Sequence, residues 1–250
     1  GAPRGPGHGV AGDGLDLGHA EGRDRIVKLL VVAGTDTGVG KTIVTAALAS
    51  RAKAAGERVA VVKPAQTGVT AGEPGDMDEV RRLSGVDDVH ELARYAEPLA
   101  PATAAALEDG AGISVDEVTA AINALEDRDL VIVEGAGGVL VRFSESGETL
   151  ADLAAALRAP VLLVARAGLG TLNHSALSVE ALLSRGVACA GLVIGEWPET
   201  PDLAARANVS DLSSYCGVPL LGQVPEGAAR LEPLEFQTQA QSWINSGGIL

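Results

Sequence analysis

The chain has 250 residues, of which 46% are hydrophobic but only 2% are aromatic, so its composition predicts one α/β domain with an aliphatic core. It carries 33 acidic and 19 basic residues, which gives a formal net charge of −14. A surface with that excess of negative charge repels phosphate backbones and anionic lipids, which argues against nucleic acid and membranes as its main partners.

The first 25 residues differ in composition from the rest of the chain. They contain eight glycines, no aromatic residue and no apolar periodicity, and the only methionine of the chain is Met77. We interpret residues 1–25 as a disordered leader, or as an artefact of start-site assignment, that lies outside the fold. Their pattern is not that of a signal peptide, and no later stretch reaches the roughly 20 apolar residues of a membrane helix. The sequence therefore predicts a cytoplasmic protein.

From residue 26 onward, buried apolar runs alternate with stretches of helical periodicity. The predicted elements are, in chain order, strand 26–33, helix 42–55, strand 58–62, helix 76–83, helix 114–125, strand 129–133, helix 150–157, strand 160–165, helix 171–184, strand 189–194, helix 202–215, strand 219–224 and helix 234–243. Ser114 and Glu117 have the spacing of a capping box at the start of their helix. This order predicts a single α/β domain over residues 26–250, with a mostly parallel sheet and helices on both of its faces.

A glycine-rich motif joins the first predicted strand to the first helix. Residues 34–42 read Gly-Thr-Asp-Thr-Gly-Val-Gly-Lys-Thr. Successive backbone N–H groups of such a loop bind phosphate oxygens, Lys41 reaches the β- and γ-phosphates, and the Thr42 hydroxyl coordinates Mg²⁺. The alternative, a glycine-rich turn that contains Gly-Lys-Thr by chance, is disfavoured by the strand before it and the helix after it. We therefore expect the nucleotide to bind at Gly38, Val39, Gly40, Lys41, Thr42 and Ile43, in a P-loop NTPase fold.

This P-loop is a variant, because five residues separate Gly34 from Gly40. It is similar to the loops of ATPases that position genes or cell-division machinery. Those ATPases carry a lysine two residues before the Gly-Val-Gly segment, and it reaches across a nucleotide-bridged dimer. Asp36 stands at that position here. An acidic residue cannot take that role, which argues against this branch.

A second motif follows the second predicted strand directly. It reads Lys63-Pro64-Ala65-Gln66-Thr67-Gly68. Pro64 favours an extended Lys63 and so directs the lysine away from the end of the strand, where open parallel sheets bind their ligands. By itself a Lys-Pro pair after a strand is more often structural. Beside a P-loop, however, the lysine can stabilise charge on a transferring phosphoryl group or an anionic nucleophile.

Five motifs together resemble the dethiobiotin synthetase family. They are the P-loop at 34–42, the Lys63 motif, Glu-Gly-Ala-Gly-Gly at 134–138, Leu-Gly-Thr-Leu-Asn-His at 169–174 and Pro-Leu-Leu-Gly-Gln-Val-Pro at 219–225. The resemblance spans about residues 28–225. It implies a Mg²⁺- and ATP-dependent ligase that closes the ureido ring of dethiobiotin from 7,8-diaminononanoate and CO₂. The implied intermediates are a carbamate and then a carbamic–phosphoric anhydride.

The resemblance also implies roles for single residues. Lys63 and Lys41 are the expected catalytic cations, Lys63 on the carbamate, with Thr37 and Thr67 as hydroxyl partners of the substrate. The helix start at Thr171, Leu172 and Asn173 is expected to bind the substrate carboxylate of the neighbouring subunit in a homodimer, since helix N-termini bind carboxylates well.

Magnesium prefers oxygen ligands, usually with one or two carboxylates. Besides Thr42, Glu134 is the first candidate, since it stands at the end of a buried strand. Asp76 is the second, because the family places an aspartate at the start of the helix after the lysine loop. The loop length leaves Asp78 as a competitor for that role.

The residues expected to bind the rest of the nucleotide come from several segments. Gly135, Ala136 and Gly137, beside Glu134 and Asp76, are expected to contact the nucleotide. Familiar members bind adenine with an Asn–Asp pair, where this chain has Gly195-Glu196-Trp197-Pro198. Gly195, Glu196, Pro225, Glu226 and Gly227 are the expected base-binding residues. ATP or another nucleoside triphosphate is therefore the expected co-substrate.

Two alternatives remain open on the sequence. One is a relative of the cobyrinate amidase-type synthetases, many of which add a glutaminase domain with a cysteine nucleophile. Cys189 and Cys216 lie in no such setting, and Cys189 reads as a small buried side chain. The other is a non-enzymatic nucleotide switch, which would not need the Lys63–Thr67 motif.

Overall fold

The computed structural model describes residues 1, 27–245 and 247. Its strands are β1 (Lys28–Gly34), β2 (Val59–Lys63), β3 (Gln66–Thr67), β4 (Val89–Glu91), β5 (Arg94–Tyr95), β6 (Leu130–Gly138), β7 (Val161–Ala165), β8 (Cys189–Trp197) and β9 (Leu220–Pro225). Its helices are α1 (Lys41–Ala54), α2 (Asp76–Ser84), α3 (Pro101–Leu107), α4 (Val115–Asn123), α5 (Leu150–Leu157), α6 (Thr171–Leu183), α7 (Leu203–Cys216) and α8 (Pro233–Trp243). A short 3₁₀ turn, Ala228–Arg230, follows β9.

Seven strands form one sheet in the order β4-β2-β6-β1-β7-β8-β9. Neighbouring strands in it are parallel, so their carboxyl ends meet at one edge. The central strand, β1, lies between β6 and β7 and leads directly into the P-loop. The expected P-loop α/β fold is therefore confirmed.

Alternate residues of β1 pack into two aliphatic cores. Leu30 and Val32 join the core under α1, α2 and α8, whereas Val31 and Ala33 join the core under α4, α5, α6 and α7. A strand covered on both faces must be apolar at every position, which is why the buried strands read as continuous runs rather than alternating ones. The helices therefore flank both faces, as expected.

Most predicted elements are confirmed, with small differences at their ends. The capping box of α4 forms, since the Glu117 N–H donates to Ser114 Oγ at 3.2 Å and the Ser114 N–H donates to Glu117 Oε2 at 2.9 Å. Strands β6 and β8 run further than predicted, to Gly138 and Trp197. The sequence interpretation missed β3, β4, β5 and α3, which are too short for a periodic pattern.

Two expectations fall partly or wholly outside the part of the chain that the structure describes. The predicted leader, residues 1–25, lies outside it except for Gly1, and so does the predicted first residue of the first strand. Across the described ranges, none of the helices combines the length and the apolar character required to cross a membrane.

The P-loop lies directly against the end of β8 through two glycines. A Cβ on Gly40 would stand 2.6 Å from the Gly195 carbonyl oxygen, and a Cβ on Gly195 would stand 2.0 Å from the Val39 carbonyl oxygen. Gly40 also has a φ of +95°, which favours glycine. This contact fixes the loop against the sheet.

We predict that Gly195→Ala lowers the free energy of unfolding by about 1–3 kcal/mol, the usual effect of overpacking, because backbone rather than a flexible side chain blocks the new methyl group. Urea unfolding measures the change. Gly110→Ala is the matched control, since its Cβ would meet only the Ala105 carbonyl oxygen at 3.4 Å and its φ is not positive. Equal stability of the two variants would contradict the close contact.

Candidate active site

A pocket of about 800 Å³ opens where the parallel strands end. The P-loop and the first turn of α1 form its floor, and the ends of β2, β6, β8 and β9 contribute to its walls. The carboxyl edge of an open α/β sheet is where such folds bind ligands. The P-loop and the Lys63 motif thus lie at the same cavity.

The P-loop presents an anion-binding helix start to this pocket. Gly40 is the N-cap of α1, and because it has no side chain, the first N–H groups of the helix stay open to a ligand. A Cβ on Gly38 would meet no atom within 4 Å, so the loop faces open space there. Lys41 is buried and its Nζ donates to the Asp36 carbonyl oxygen at 3.0 Å. The loop is therefore preformed for phosphate groups.

Asp36 braces the P-loop from within. Its Oδ1 accepts a hydrogen bond from the Thr37 N–H at 2.7 Å, and its Oδ2 lies 3.2 Å from NH2 of Arg166. The same guanidinium nitrogen donates to the Thr37 carbonyl oxygen at 3.1 Å. Arg166 comes directly after β7, so it ties the loop to the neighbouring strand end. This bracing gives the acidic residue at position 36 a structural role.

Lys63 is the centre of a buried ionic cluster. It is 2% exposed, and its Nζ lies 2.9 Å from Glu134 Oε1 and 2.6 Å from Asp76 Oδ2. The Thr42 hydroxyl donates to the same Glu134 oxygen at 2.9 Å. Each of these side chains comes from a different element, namely β2, β6, α2 and α1.

The sheet register brings Lys63 and Glu134 together. Val62 pairs with Val133 in the β2–β6 ladder, so the two charged residues that follow lie side by side. Asp76 is fixed separately, because its N–H donates to Gln66 Oε1 at 2.9 Å and Gln66 itself is buried. The lysine and both carboxylates are therefore held by backbone geometry.

The surroundings of the two lysines shift their pKa values in opposite directions. Burial by itself lowers the pKa of Lys63, but the charges and hydrogen bonds of Glu134 and Asp76 outweigh it and raise that pKa. Burial also lowers the pKa of Lys41; Glu134 only partly offsets this, and the neighbouring charge of Lys63 adds to the lowering. Lys63 is therefore a firmly charged ammonium group.

The cluster fits a magnesium ion. Glu134 is fully buried, yet its Oε2 has no hydrogen-bond partner among the described residues. A buried carboxylate oxygen without a partner is costly unless a cation or ligand takes that position. Together with the Thr42 hydroxyl and Asp76, it forms the set of oxygen donors that Mg²⁺ prefers.

The structure distinguishes the two candidate aspartates by position. Asp76 contacts Lys63, whereas Asp78 accepts hydrogen bonds from the Gly75 N–H at 2.8 Å and from NH1 of Arg81 at 3.1 Å. Asp78 thus completes the capping interaction at the start of α2. Of these two residues, Asp76 is the one in the site.

Most of the other expected site residues line the pocket. These are Thr37, Gly38, Gly40, Ile43, Thr67, Gly135, Ala136, Gly137, Gly195, Glu196, Pro225 and Gly227. Val39 is buried beneath the loop, and Glu226 accepts a hydrogen bond from the Glu199 N–H at 3.0 Å instead of facing the pocket. Thr171, Leu172 and Asn173 do not line the pocket of their own chain.

Comparison with known proteins identifies the family. A family model described as an AAA domain matches residues 28–231. The dethiobiotin synthetase BioD of Frankia casuarinae is 58% identical over 85% of this chain and 90% of its own length. Those of Rhodococcus jostii and Streptomyces coelicolor are 55% and 54% identical, over 88% and 86% of this chain and 96% and 91% of their own lengths. The chain belongs to the ATP-dependent dethiobiotin synthetase family.

Solved structures support the fold alone. A ParA family ATPase from Chlorobium tepidum has a TM-score of 0.54 at 12% identity and covers 86% of this chain and 90% of its own. The MinC:MinD cell division complex of Aquifex aeolicus has a TM-score of 0.52 at 13% identity, covering 86% and 87%.

As a dethiobiotin synthetase family member, the chain is an enzyme, a ligase that forms a C–N bond. The cobyrinate amidase-type and nucleotide-switch alternatives are not favoured.

Some residues of the synthetase pocket escaped the sequence interpretation. An apolar wall is formed by Pro98, Leu99, Ala100 and Pro101. On the opposite side, Ala228, Ala229 and Arg230 follow the expected base-binding residues. Pro101 is the first residue of α3, and proline at that helix position is a signal that could have revealed this segment.

The cysteines of this synthetase are not set up as nucleophiles. Cys189 is half-buried rather than buried as predicted, and burial raises its pKa from an ordinary value of 9.0 to about 11. Its Sγ donates to the Gly191 carbonyl oxygen at 3.6 Å. Burial also raises the pKa of Cys216. Both thiols are therefore protonated at neutral pH.

We predict that iodoacetamide alkylates Cys189 in the native protein at pH 8 about 100-fold more slowly than in urea, because two pKa units lower the thiolate fraction by that factor. Peptide mass spectrometry follows the reaction. Since the native thiol keeps its proton up to about pH 11 and the unfolded thiol loses it near pH 9, stability should fall as pH rises through that window. Equal native and unfolded alkylation rates would contradict the burial of Cys189.

Proposed function

We propose that the chain catalyses the Mg²⁺-dependent carboxylation and ring closure of 7,8-diaminononanoate with CO₂ to give dethiobiotin, driven by ATP or another nucleoside triphosphate. We infer that residues 26–250 act as one catalytic domain and that the reaction takes place in the cytoplasm. The observation that carries the proposal is the buried Lys63 ammonium group beside the P-loop. Two carboxylates hold it at the pocket that the P-loop and Lys41 also line.

In the first step one substrate amine bonds to the carbon of CO₂ and loses a proton, which gives a carbamate. The carbamate is an anion beside a triphosphate, so the site must supply positive charge. We assign Lys63 to the carbamate oxygens and Lys41 to the β- and γ-phosphates. Both are buried, which strengthens their interactions with anions.

In the second step a carbamate oxygen attacks the γ-phosphorus and the nucleoside diphosphate leaves. The second amine then attacks the anhydride carbonyl carbon and gives up a proton to the departing phosphate or to solvent, so the carbon–oxygen bond to phosphate breaks, the ureido ring closes and phosphate leaves. The proposed protein contribution is to position the reactants and stabilise charge, without a covalent intermediate. Thr37 and Thr67, which line the pocket, would orient the substrate through their hydroxyl groups.

We assign the magnesium ligands to Thr42, Glu134 and Asp76. When bound, Mg²⁺ neutralises charge on the phosphate oxygens. Glu134 would serve three groups at once, with Oε1 toward Lys63 and Thr42 and the unpartnered Oε2 free for the metal. Its burial keeps water from competing for these contacts.

We place the nucleotide along the pocket from the P-loop to the end of β9. Its phosphates would bind N–H groups from Gly38 to Ile43, with Val39 contributing only its backbone, and its sugar would lie near Gly135, Ala136 and Gly137 at the end of β6. The base would lie between Gly195–Glu196 and Pro225–Gly227, where Glu226 would contribute only its backbone. The apolar wall around Leu99 would face the hydrocarbon chain of the substrate.

The direct test is to incubate the protein with 7,8-diaminononanoate, bicarbonate, Mg²⁺ and each nucleoside triphosphate in turn. We expect a product with the mass of dethiobiotin that forms only when all four components are present. The nucleotide that supports the highest kcat/KM identifies the preferred base. Hydrolysis of nucleotide without this product, under every combination, would contradict the proposal.

We predict that Lys63→Gln lowers kcat about 100-fold or more while the nucleotide still binds, because the variant removes the cation assigned to the carbamate but leaves the P-loop intact. Product formation and nucleotide binding are measured separately, and thermal unfolding checks the fold. Lys28→Gln is the control, since Lys28 pairs with Glu57 on the surface. Wild-type turnover by Lys63→Gln would rule out the assigned role.

We further propose that the enzyme works as a homodimer in which the start of α6 binds the substrate carboxylate of the partner subunit. Gly170 is the N-cap of α6, so the N–H groups of Leu172 and Asn173 are open to an anion. Leu169 and Leu177 are 93% and 56% exposed beside them, which suits a surface that a second subunit covers. The Thr171 side chain is buried and its N–H donates to the Gly168 carbonyl oxygen at 3.3 Å, so Thr171 would support the helix start while the N–H groups of Leu172 and Asn173 make the contact.

We predict that Leu169→Glu converts the dimer to monomers and raises KM for the diamine about ten-fold or more, because a buried unpaired charge disfavours association. Analytical ultracentrifugation and steady-state kinetics measure the two effects. Leu234→Glu, on α8, is the matched control because Leu234 is 77% exposed. A wild-type protein that is monomeric at concentrations giving full activity would contradict the shared site.

A further inference from the structure

Arg82 connects α2 to the turn that closes the pocket after β9. Its NH2 donates to the Ala229 carbonyl oxygen at 2.7 Å, and its NH1 donates to the Leu231 carbonyl oxygen at 3.2 Å. These two acceptors are about 150 positions away in the sequence. The guanidinium group therefore holds together two segments that the backbone does not join.

A carboxylate on the same helix fixes the orientation of this guanidinium group. Arg82 Nε donates to Glu79 Oε2 at 2.8 Å, and Arg82 NH2 donates to Glu79 Oε1 at 2.7 Å. Such a two-point contact is geometrically specific, and it leaves the remaining N–H groups aimed at the turn. The hydrogen bonding that Arg82 donates to Glu79 is also the largest cause of the raised pKa of Arg82.

The turn that Arg82 holds is part of the pocket wall. Gly227, Ala228, Ala229 and Arg230 all line the cavity. The turn is tightly wound, since Gly227 has a φ of +80° and its carbonyl oxygen accepts a hydrogen bond from the Arg230 N–H at 2.9 Å. Ala228 is buried and anchors one end, so the carbonyl groups of Ala229 and Leu231 set the position of the other.

Helix α2 thereby reaches both ends of the site. Its first residue, Asp76, contacts Lys63, and Arg82 lies six residues further along. Six residues of α-helix span about 9 Å, the scale of a nucleoside. The distance between the ionic cluster and the turn after β9 is thus set by one rigid helix.

We propose that Arg82 is a positioning residue that fixes the base-side wall of the nucleotide pocket through the Ala229 and Leu231 carbonyl groups. The inference rests on the proposed function for the location of the nucleotide, with the phosphates on the P-loop and the base near residues 225–230. Arg82 does not contact the reacting atoms. Its effect is confined to the part of the nucleotide beyond the phosphates.

The test compares two ligands of one pocket, the imido analogue of ATP and inorganic tripolyphosphate, each with Mg²⁺. Tripolyphosphate lacks sugar and base, so it reports on the P-loop alone. For Arg82→Ala we expect the Kd of the ATP analogue to rise about five- to ten-fold, as charge-assisted hydrogen bonds are lost, and the Kd of tripolyphosphate to stay near the wild-type value. Isothermal titration calorimetry measures both.

Arg81→Ala is the matched control. Arg81 is the neighbouring arginine on α2 and contacts Asp78 at 3.1 Å, on the helix itself. We expect wild-type affinity for both ligands in this variant. Arg82→Lys should bind as weakly as Arg82→Ala, because a lysine keeps the charge but cannot contact Glu79 and both carbonyl groups together.

Other outcomes overturn the proposal in distinguishable ways. Unchanged affinity of Arg82→Ala for the ATP analogue, or equal losses for both ligands, would show that Arg82 does not act on the base-side wall. Full recovery in Arg82→Lys would show that charge alone matters. A wild-type protein that binds tripolyphosphate as tightly as the ATP analogue would instead contradict the proposed position of the base. If Arg82→Ala also lowers the melting temperature, the ratio of the two affinities still shows whether the loss is confined to the base side of the pocket.

Discussion

The pairing of the Lys63 ammonium group with Glu134 and Asp76 is the interaction on which the site depends. A lysine at 2% exposure stays charged only when partners compensate for lost water, and here two carboxylates lie within 3 Å. Those partners come from a neighbouring strand and from the first residue of a helix, so the charge can be buried only when β2, β6 and α2 are all in place. The ionic cluster therefore forms only when this part of the fold is complete.

The P-loop is also held in place by a small number of contacts. Asp36 stabilises the loop internally, Arg166 ties it to the end of β7, and Gly195 lets it lie against β8. A loop held internally and at two strand ends does not have to rearrange before it binds phosphate, which lowers the free-energy cost of binding. Lys41 and Lys63 then face one cavity from two directions, a suitable arrangement for two anions that must react with each other.

Much of the fold and of the site could be predicted from the sequence. The carboxyl ends of parallel strands lie at one edge of the sheet, so the sequence alone could predict that Lys41, Lys63 and Glu134 share one site. The choice between Asp76 and Asp78 could not, because it depends on where the start of α2 lies relative to Lys63, and the preceding loop has no fixed length. The links that Arg82 makes to Ala229 and that Arg166 makes to Asp36 leave no local pattern, since each joins residues more than 100 positions apart. The apolar wall at residues 98–101 was missed because short loops have no periodicity.

The central claim is that Lys63 holds an anionic nucleophile next to the terminal phosphate. A crystal structure with Mg²⁺, the imido analogue of ATP, diaminononanoate and bicarbonate measures this most directly. We expect a carbamate oxygen about 3 Å from Lys63 Nζ, on the side that faces the γ-phosphate and Lys41. A carbamate bound elsewhere, with Lys63 still contacting only Glu134 and Asp76, would contradict it.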